Sequence, residues 1–254
     1  MSDTTLLRNH CGFHLSSLNH ILNVIGNEDE DNEDEGMSII KHSPYVNYDE
    51  LISFCNINKD EFTVLNLNIQ SINAKFDQFQ IFLHQLKLQQ FEFSIICLQE
   101  TWLTENSDLS LFEINGYTLT TQHAVCSSHS GLAVYLNEKY DHKILPLYEK
   151  SAVWEGLFLE ITGHSLEHKI MLGNIYRPPR ERNENYQQFI KEIIPIVSTF
   201  DKNNNETIIT GDFNINLLKV NEKPIVNEFF DIMTSHSFTR KLRCLQDFQG
   251  ILEP

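Results

Sequence analysis

The chain has no stretch of about 20 consecutive apolar residues, which is the length that a membrane-spanning helix requires. Its N-terminus also lacks the basic residues and apolar core of a secretory signal. The five cysteines are scattered and never occur as Cys-x-x-Cys, a pattern typical of reduced intracellular thiols. We therefore predict an intracellular protein, in the nucleus or cytoplasm, that neither enters a membrane nor is secreted.

Glycine is scarce, with ten residues in 254, and no segment matches the glycine-rich loops that bind nucleotides. The Gly-x-Ser-x-Gly elbow of serine hydrolases is absent as well. Ser128 and His129 are adjacent in a predicted loop, which is not how a nucleophile and its base are usually arranged. The sequence therefore gives little support to nucleotide binding by a glycine-rich loop or to a serine-hydrolase mechanism.

Basic residues are outnumbered, with 19 Lys and Arg against 35 Asp and Glu, and the formal net charge is −16. Seven of the acidic residues lie in the run 28–35, and the rest of the chain still carries −9. Any contact with nucleic acid must therefore be local. The one basic cluster is Arg177, Arg180 and Arg182. A divalent cation in an acidic site would also lower the repulsion.

The domain organisation follows from composition. Residues 1–60 are rich in Asn, Asp and Glu, which predicts an acidic and largely disordered extension. Within it, Leu15 to Ile25 could form a short amphipathic helix. Order is predicted to begin at Phe62, in a body of residues 61–242 that precedes a tail of residues 243–254. The hydrophobic content of 41% is sufficient for a sizeable core in this body.

Apolar periodicity predicts strands and helices along the body. The predicted strands are 62–69, 93–98, 117–121, 131–136, 143–147, 153–161, 169–176 and 207–212, and the predicted helices are 75–90, 185–200 and 224–236. Pro195 should kink the second helix or mark its boundary. Two β-α-β halves flank a β-rich middle, which predicts an α/β fold with two sheets packed face to face and helices outside.

Polar side chains stand at the ends of four predicted strands. Each alone has a plain explanation as a turn residue, a solvated acid or half-buried packing. A carboxylate at the end of a buried strand is also a suitable ligand for a hard cation, because Mg²⁺ is commonly bound by one carboxylate, phosphate oxygens and water. The residues at the four ends are Asn68, Glu100, Tyr176 with Arg177 after it, and Asp212 with Asn214.

Four segments carry a resemblance to a known family. They are Leu65–Ile69, Cys97–Trp102, Gly173–Pro179 and Thr210–Asn214. They resemble the successive motifs of the endonuclease/exonuclease/phosphatase (DNase I-like) superfamily. The variant is similar to the apurinic-type endonuclease domain of non-LTR (LINE-like) retrotransposons. Ser43–Asp49 resembles the linker before that domain, so the resemblance covers residues 43 to 242.

The resemblance implies a four-layer α/β sandwich that cleaves a DNA phosphodiester with Mg²⁺, or Mn²⁺, and leaves a 3′-hydroxyl. Glu100 would hold the metal. Asn68 and Asn214 would position the scissile phosphate, and Tyr176 would contact it. Asp212 would transfer the proton of the attacking water or the leaving group. Arg177 would contact the DNA backbone.

One departure from the family is large. Members end in a strand with Ser-Asp-His, whose histidine binds the phosphate, and this sequence has no such segment. The reverse-transcriptase signature Tyr-x-Asp-Asp is absent too. The sequence therefore predicts a truncated body that lacks its last strands and exposes a sheet edge. It also predicts weak or absent activity, because losing such a group costs about 10² to 10⁴ in rate.

Two alternatives remain open. The chain could be a phosphoesterase of the same fold that acts on another substrate, such as a lipid, an inositol phosphate or an RNA tail. It could also be a non-catalytic binding protein that keeps the sheets and uses residues 28–35 to engage basic partners. The oligomeric state is not predicted.

Overall fold

The computed structural model describes residues 13–15, 20–24, 45–46, 48–58, 60–125, 127–148, 151–179, 183–201, 206–215, 222–236, 238–240 and 243–245. The strands are β1 (Phe13–Leu15), β2 (His20–Val24), β3 (Tyr45–Val46), β4 (Thr63–Asn68), β5 (Ile95–Gln99), β6 (Tyr117–Gln122), β7 (Leu132–Asn137), β8 (Asp141–Ile144), β9 (Glu155–Thr162), β10 (Ile170–Tyr176), β11 (Glu206–Asp212), β12 (Thr239–Arg240) and β13 (Arg243–Leu245). The helices are α1 (Tyr48–Ile57), α2 (Ile72–Leu88), α3 (Asn183–Asp201) and α4 (Pro224–Ser235), with a 3-10 turn at Leu109–Phe112.

The strands form two mixed sheets. The six-stranded sheet has the order β12-β1-β11-β10-β9-β8, and the seven-stranded sheet has the order β3-β13-β2-β4-β5-β7-β6. The central pairs β4–β5 and β10–β11 are parallel, whereas β5–β7, β6–β7, β8–β9 and β9–β10 are antiparallel. The expected antiparallel middle of the chain is therefore confirmed.

The two sheets pack face to face and helices cover their outer faces. Between the sheets, Val64, Ile95 and Val134 of one sheet share a buried cluster with Leu159 and Leu172 of the other. A second cluster joins α1 and α2 to the seven-stranded sheet, and a third joins α3 and α4 to the six-stranded sheet. The predicted fold class, a four-layer α/β sandwich of two mixed sheets flanked by helices, is confirmed.

The predicted helices form largely as expected. The α2 stripe of Phe76, Phe79, Phe82 and Leu86 is buried, as its spacing predicts. Pro195 lies inside α3 and does not mark its boundary, so of the two predicted outcomes only the kink stays a prediction. A proline inside a helix costs about 3 kcal/mol. Ile193 and Val197, on either side of it, are buried in the core, and their packing offsets that cost.

The N-terminal segment contributes to the sheets. Residues 13–15 form β1 and residues 20–24 form β2, so the helix predicted for Leu15 to Ile25 is wrong. Leu51 and Cys55 of α1 are buried in the core, and the folded part of the chain therefore begins before Phe62. Most of residues 1–47, including the acidic run 28–35, lie outside the described residues.

Short strands pair with the outer sides of β11 and β4. On the outer side of β11, β1 pairs antiparallel with Phe13 opposite Ile209. On the outer side of β4, β2 pairs parallel with Leu22 opposite Leu65, and β13 pairs with β2. Strands β11 and β4 are therefore not sheet edges, because unpaired N–H and C=O groups at an edge bind an extended segment that reaches them. The expected exposure of an edge by missing last strands names no strand and stays a prediction.

The described helices include none with the length and apolar character needed to cross a bilayer.

Two cysteine thiols are buried in the core, as expected for Cys97. Burial raises the pKa of Cys55 to about 12 and raises that of Cys97 as well. Since only the thiolate attacks alkylating reagents, we expect neither residue to react with iodoacetamide at pH 8 in the folded chain. Peptide mass mapping checks this, with the guanidinium-unfolded chain as the control that reacts. Labelling of Cys97 in the folded chain within minutes would contradict the placement of β5.

Candidate active site

Four strands end at one edge of the sandwich. Because β4 and β5 are parallel, Asn68 and Glu100 emerge from neighbouring strand ends of the seven-stranded sheet. Because β10 and β11 are parallel, Tyr176 and Asp212 lie opposite each other at the ends of their strands in the six-stranded sheet. The packing of the two sheets therefore brings polar side chains from both of them to a common centre.

Asn68 joins the two acids of this centre. Its side-chain Nδ2 donates to Oε1 of Glu100 at 2.8 Å and to Oδ2 of Asp212 at 2.9 Å. Glu100 is 5% exposed and Asp212 is fully buried, so the two carboxylates are withdrawn from solvent together. One amide thus holds a carboxylate from each sheet, and its Oδ1 accepts from the backbone N–H of Gln70 at 3.3 Å.

Tyr176 completes the cluster from the six-stranded sheet. Its hydroxyl donates to Oε1 of Glu100 at 3.1 Å, and its ring lies in the core between the sheets. Oε1 of Glu100 therefore accepts from both Tyr176 and Asn68. These two hydrogen bonds fix the orientation of the Glu100 carboxylate.

Asp212, Asn214 and Arg177 form a second set of contacts beside the first. The backbone N–H of Asn214 donates to Oδ1 of Asp212 at 3.1 Å, and its Nδ2 donates to the carbonyl of Arg177 at 2.7 Å. Nε and Nη2 of Arg177 in turn donate to the carbonyls of Phe213 and Asn214, each at 2.7 Å. Arg177 is only 5% exposed, and its guanidinium lies over the rings of Tyr186 and Phe189.

The backbone around the centre is strained. Among the described residues, six other than glycine have positive φ, and five of them flank or belong to the site: Gln70 (48°), Ser71 (82°), Glu100 (51°), Trp102 (58°) and Asn214 (49°). Non-glycine residues in this region cost about 1–3 kcal/mol each and persist where the surroundings fix them. Such a concentration is characteristic of functional sites.

Buried amides tie the two sheets together directly below the centre. Both N–H bonds of the Asn174 amide donate to carbonyls of the other sheet, those of Leu98 and Ala133, each at 3.1 Å. Its Oδ1 is therefore an acceptor, and Gln99 Nε2 donates to it at 2.6 Å and to Asn66 Oδ1 at 2.9 Å. These bonds fix one sheet against the other, and they thereby set the distance between Glu100 and Asp212.

A lysine approaches the centre from α2. The backbone N–H of Ser71 donates to the carbonyl of Glu100 at 2.8 Å, which holds the start of α2 against the end of β5. Lys75 lies four residues later on the same face of the helix and is half-buried. Burial lowers the pKa of its ammonium, and the nearby Glu100 carboxylate acts in the opposite direction. The charge of Lys75 is therefore close to the acidic centre.

The donor atoms of the centre suit a hard cation. Among the described residues no group of three or more His, Cys, Asp and Glu side chains could hold a metal ion. Glu100 and Asp212 nevertheless offer carboxylate oxygens, and Mg²⁺ commonly takes one or two carboxylates together with phosphate oxygens and water. The donor set therefore fits magnesium or manganese and does not fit a soft metal that prefers thiolates.

The family model that matches the chain is the Endonuclease/Exonuclease/phosphatase family, over residues 56–220. That is more than half of the 254 residues. The chain belongs to the Endonuclease/Exonuclease/phosphatase family. No match was found among the curated proteins.

The solved structures that resemble this chain are remote from it in sequence. The AP endonuclease LMAP from Leishmania major matches at 15% identity and a TM-score of 0.53, over 68% of this chain and 66% of that one. The Xenopus laevis APE2 catalytic domain matches at 19% identity and 0.50, over 66% of each chain. The endonuclease domain of TRAS1, a telomere-specific non-LTR retrotransposon, matches at 14% and 0.49, over 68% of this chain and 71% of that one. The chain spans just under two thirds of the length of LMAP.

In this member of the Endonuclease/Exonuclease/phosphatase family, the predicted site residues that belong to the described part of the chain all lie close together. Asn68, Glu100, Tyr176 and Asp212 are linked by direct hydrogen bonds, and Asn214 is linked through Asp212. Arg177 lies beside them with its guanidinium turned to main-chain carbonyls. Arg180 and Arg182 lie outside the described residues.

Sequence reasoning missed four residues that support the site. Gln99 and Asn174 stand inside buried strands, where a polar residue is unusual, and this was the available signal. The role of Lys75 depends on how α2 begins, and that of Glu155 depends on its contacts with the loop at 125–131. The apolar periodicity of the sequence predicts neither the role of Lys75 nor that of Glu155.

Proposed function

We propose that this chain is a metal-dependent endonuclease that nicks DNA and leaves a 3′-hydroxyl, derived from a non-LTR retrotransposon. The observation that carries the proposal is the Asn68 amide between the carboxylates of Glu100 and Asp212. Two buried acids held at the strand ends of a phosphodiesterase fold are the groups that phosphodiester cleavage requires. The retrotransposon origin rests on the Tyr176–Pro179 motif and on the Ser43–Tyr45 leader of the sequence.

The roles follow from the contacts. Asp212 accepts hydrogen bonds from Asn68 and from the Asn214 backbone, so its carboxylate is fixed in direction and can take or return the proton of the attacking water. Asn68 and Tyr176 fix Glu100 through the hydrogen bonds that they donate to it, and a phosphate oxygen would bind either residue by replacing one of these acceptors. Asn214 lies across Asp212 from Asn68 and would position the neighbouring phosphate.

Glu100 would hold Mg²⁺ or Mn²⁺. A bound divalent cation would supply the positive charge that polarises the scissile phosphate and stabilises the leaving oxygen.

Two basic side chains, those of Arg177 and Lys75, have different roles in this proposal. Arg177 is buried and donates to the carbonyls of Phe213 and Asn214, so it acts by positioning Asn214 and not by the DNA contact that the motif predicts. Lys75 is half-buried beside Glu100 and would balance the charge of the incoming phosphate. The overall negative charge of the chain makes such a local cation necessary.

The proposal is tested by incubating supercoiled plasmid with an excess of the purified chain and Mg²⁺. Nicking is expected, with EDTA and the Glu100→Ala variant giving only background, and a polymerase should extend the nicks directly because they end in a 3′-hydroxyl. No nicking above the EDTA background would show that the proposed endonuclease activity is wrong. Release of phosphate from phosphomonoesters without any nicking would replace the endonuclease with a phosphatase.

Replacing Lys75 by Met should weaken DNA binding by about tenfold and reduce the slope of log K against log salt by about 0.7 to 0.9. The reason is that one phosphate contact and its released counterion are lost. Fluorescence anisotropy of a labelled oligonucleotide over a salt series measures both quantities. Lys87→Met is the matched control, because Lys87 lies at the other end of α2 and pairs with Glu92 at 2.7 Å. Equal slopes of log K against log salt for the two variants would show that Lys75 does not contact a DNA phosphate.

A further inference from the structure

Trp102 and His129 lie side by side just beyond the end of β5. Trp102 follows Glu100 by two residues, and its ring meets the His129 ring in a T-shaped contact with centroids 4.8 Å apart. Trp102 is half-buried and His129 is exposed. An aromatic pair with one exposed member therefore lies two residues along the chain from Glu100 of the acidic centre.

The pair is held by main-chain hydrogen bonds that continue the pairing of β5 with β7. The backbone N–H of Trp102 donates to the Ser130 carbonyl at 2.8 Å, and that of Thr101 donates to the Gly131 carbonyl at 3.1 Å. Gly131 has φ +96°, and a Cβ there would lie 2.7 Å from Oγ1 of Thr101. Only glycine permits this close approach of the two segments.

A buried carboxylate fixes the loop from below. Glu155 is fully buried and accepts from the backbone N–H of Val125 at 2.5 Å, from Ser130 Oγ at 2.7 Å and from the backbone N–H of Gly131 at 2.7 Å. It stands opposite Tyr176 in the β9–β10 pairing. One carboxylate therefore fixes the position of the His129 loop relative to the strand that carries Tyr176.

We propose that Trp102 and His129 form a nucleoside-binding ledge, against which a base next to the scissile phosphate packs. The inference rests on the proposed function and deepens it, since it selects phosphodiesters that carry bases over those that do not. Aromatic rings accept any base by stacking, and they do so where a charged groove holds the backbone. The backbone of the ledge is already held by hydrogen bonds to Ser130, Gly131 and Glu155, so we expect binding to require little ordering of the main chain.

The test compares two oligonucleotides with equal charge: a 12-mer of thymidylate and a 12-mer of the abasic tetrahydrofuran analogue. Binding is measured in EDTA, where no cleavage occurs, by quenching of tryptophan fluorescence. The chain has two tryptophans, and Trp154 is 2% exposed in the core, so quenching reports on Trp102. We expect the thymidylate oligomer to bind about tenfold more tightly and to quench more strongly.

Variants assign the difference to the ledge. Trp102→Ala and His129→Ala should each reduce thymidylate affinity toward that of the abasic oligomer, and because the first variant lacks the fluorescent reporter, affinities of the variants are measured by fluorescence anisotropy of dye-labelled oligomers. His164→Ala is the control, because this exposed histidine lies in the β9–β10 turn at the opposite end of the sheet. His129 is exposed, so its removal should not affect folding. Equal affinity of the unsubstituted chain for the two oligomers would show that Trp102 and His129 do not bind a base.

Failure of the ledge and failure of the endonuclease are distinguishable. Plasmid nicking without base-dependent binding would support the endonuclease proposal and contradict the proposed base binding by the ledge. Base-dependent binding that His129→Ala abolishes, in a chain that never nicks, would leave a nucleic-acid-binding ledge on a non-catalytic fold.

Discussion

Asp212→Asn should slow plasmid nicking by about 10² to 10⁴ while the chain stays folded, because the substitution removes the proton acceptor and keeps the shape of the side chain. The Asp212 carboxylate is fully buried and accepts from Asn68 and from the Asn214 backbone. The amide that replaces it can accept only one of these two hydrogen bonds well. An unmade buried hydrogen bond costs about 1–3 kcal/mol, a loss that a folded domain can tolerate.

The measurement is the rate of conversion of supercoiled to open-circle plasmid under enzyme excess, with melting temperature recorded for each variant. Asp231→Asn serves as the control, since Asp231 is exposed on α4 and lies outside the centre. Nicking by the Asp212→Asn variant at the unsubstituted rate would show that Asp212 transfers no proton.

Gly211→Ala should prevent folding or destabilise the chain by more than about 4 kcal/mol. Gly211 lies inside β11 with φ +141°, and a Cβ added there would overlap the backbone carbonyl of Ile175 on β10. Neither atom can move without opening the parallel β10–β11 pair. The residue after Gly211 is Asp212, so the same backbone conformation that excludes a side chain also aims the acid at Asn68.

Gly116→Ala is the matched comparison, because it isolates backbone strain from the clash. Gly116 has φ +90°, but a Cβ there would have its nearest neighbour 3.9 Å away at Glu92. We expect a loss of only about 1–2 kcal/mol at this position. Denaturant unfolding of both variants measures the difference. Equal losses in the two variants would mean that strands β10 and β11 do not approach as closely at Gly211 as described.

Much of the fold and of the centre could be predicted from the sequence, for identifiable reasons. Strands β4, β5, β10 and β11 are buried on both faces, so most of their residues are apolar, and each ends at or just before a polar residue that needs hydrogen-bond partners when it is buried. That pattern predicts that Asn68, Glu100, Tyr176 and Asp212 emerge at a sheet edge. The face-to-face packing of two sheets then brings them together.

Other features depend on tertiary contacts that periodicity does not encode. The composition of residues 13–24 does not reveal β1 and β2, because these strands form where β11 and β4 offer unpaired edges. The direction of Arg177 is set by the carbonyls of Phe213 and Asn214, which reach it only through the β10–β11 pairing. Positive φ angles at Glu100 and Trp102 follow from the loop that Glu155 anchors, and no local signal predicts them.

The central claim is that Glu100 and Asp212 act as one phosphodiester-cleaving centre, and a double-mutant cycle tests it most directly. Nicking rates are compared for Glu100→Gln, for Asp212→Asn and for the variant that carries both. Because residues that act as a unit give strongly non-additive losses, the double variant should nick no more slowly than the slower single variant, within about threefold. Losses that multiply, or a single variant that keeps the full rate, would show that the two carboxylates do not share one reaction.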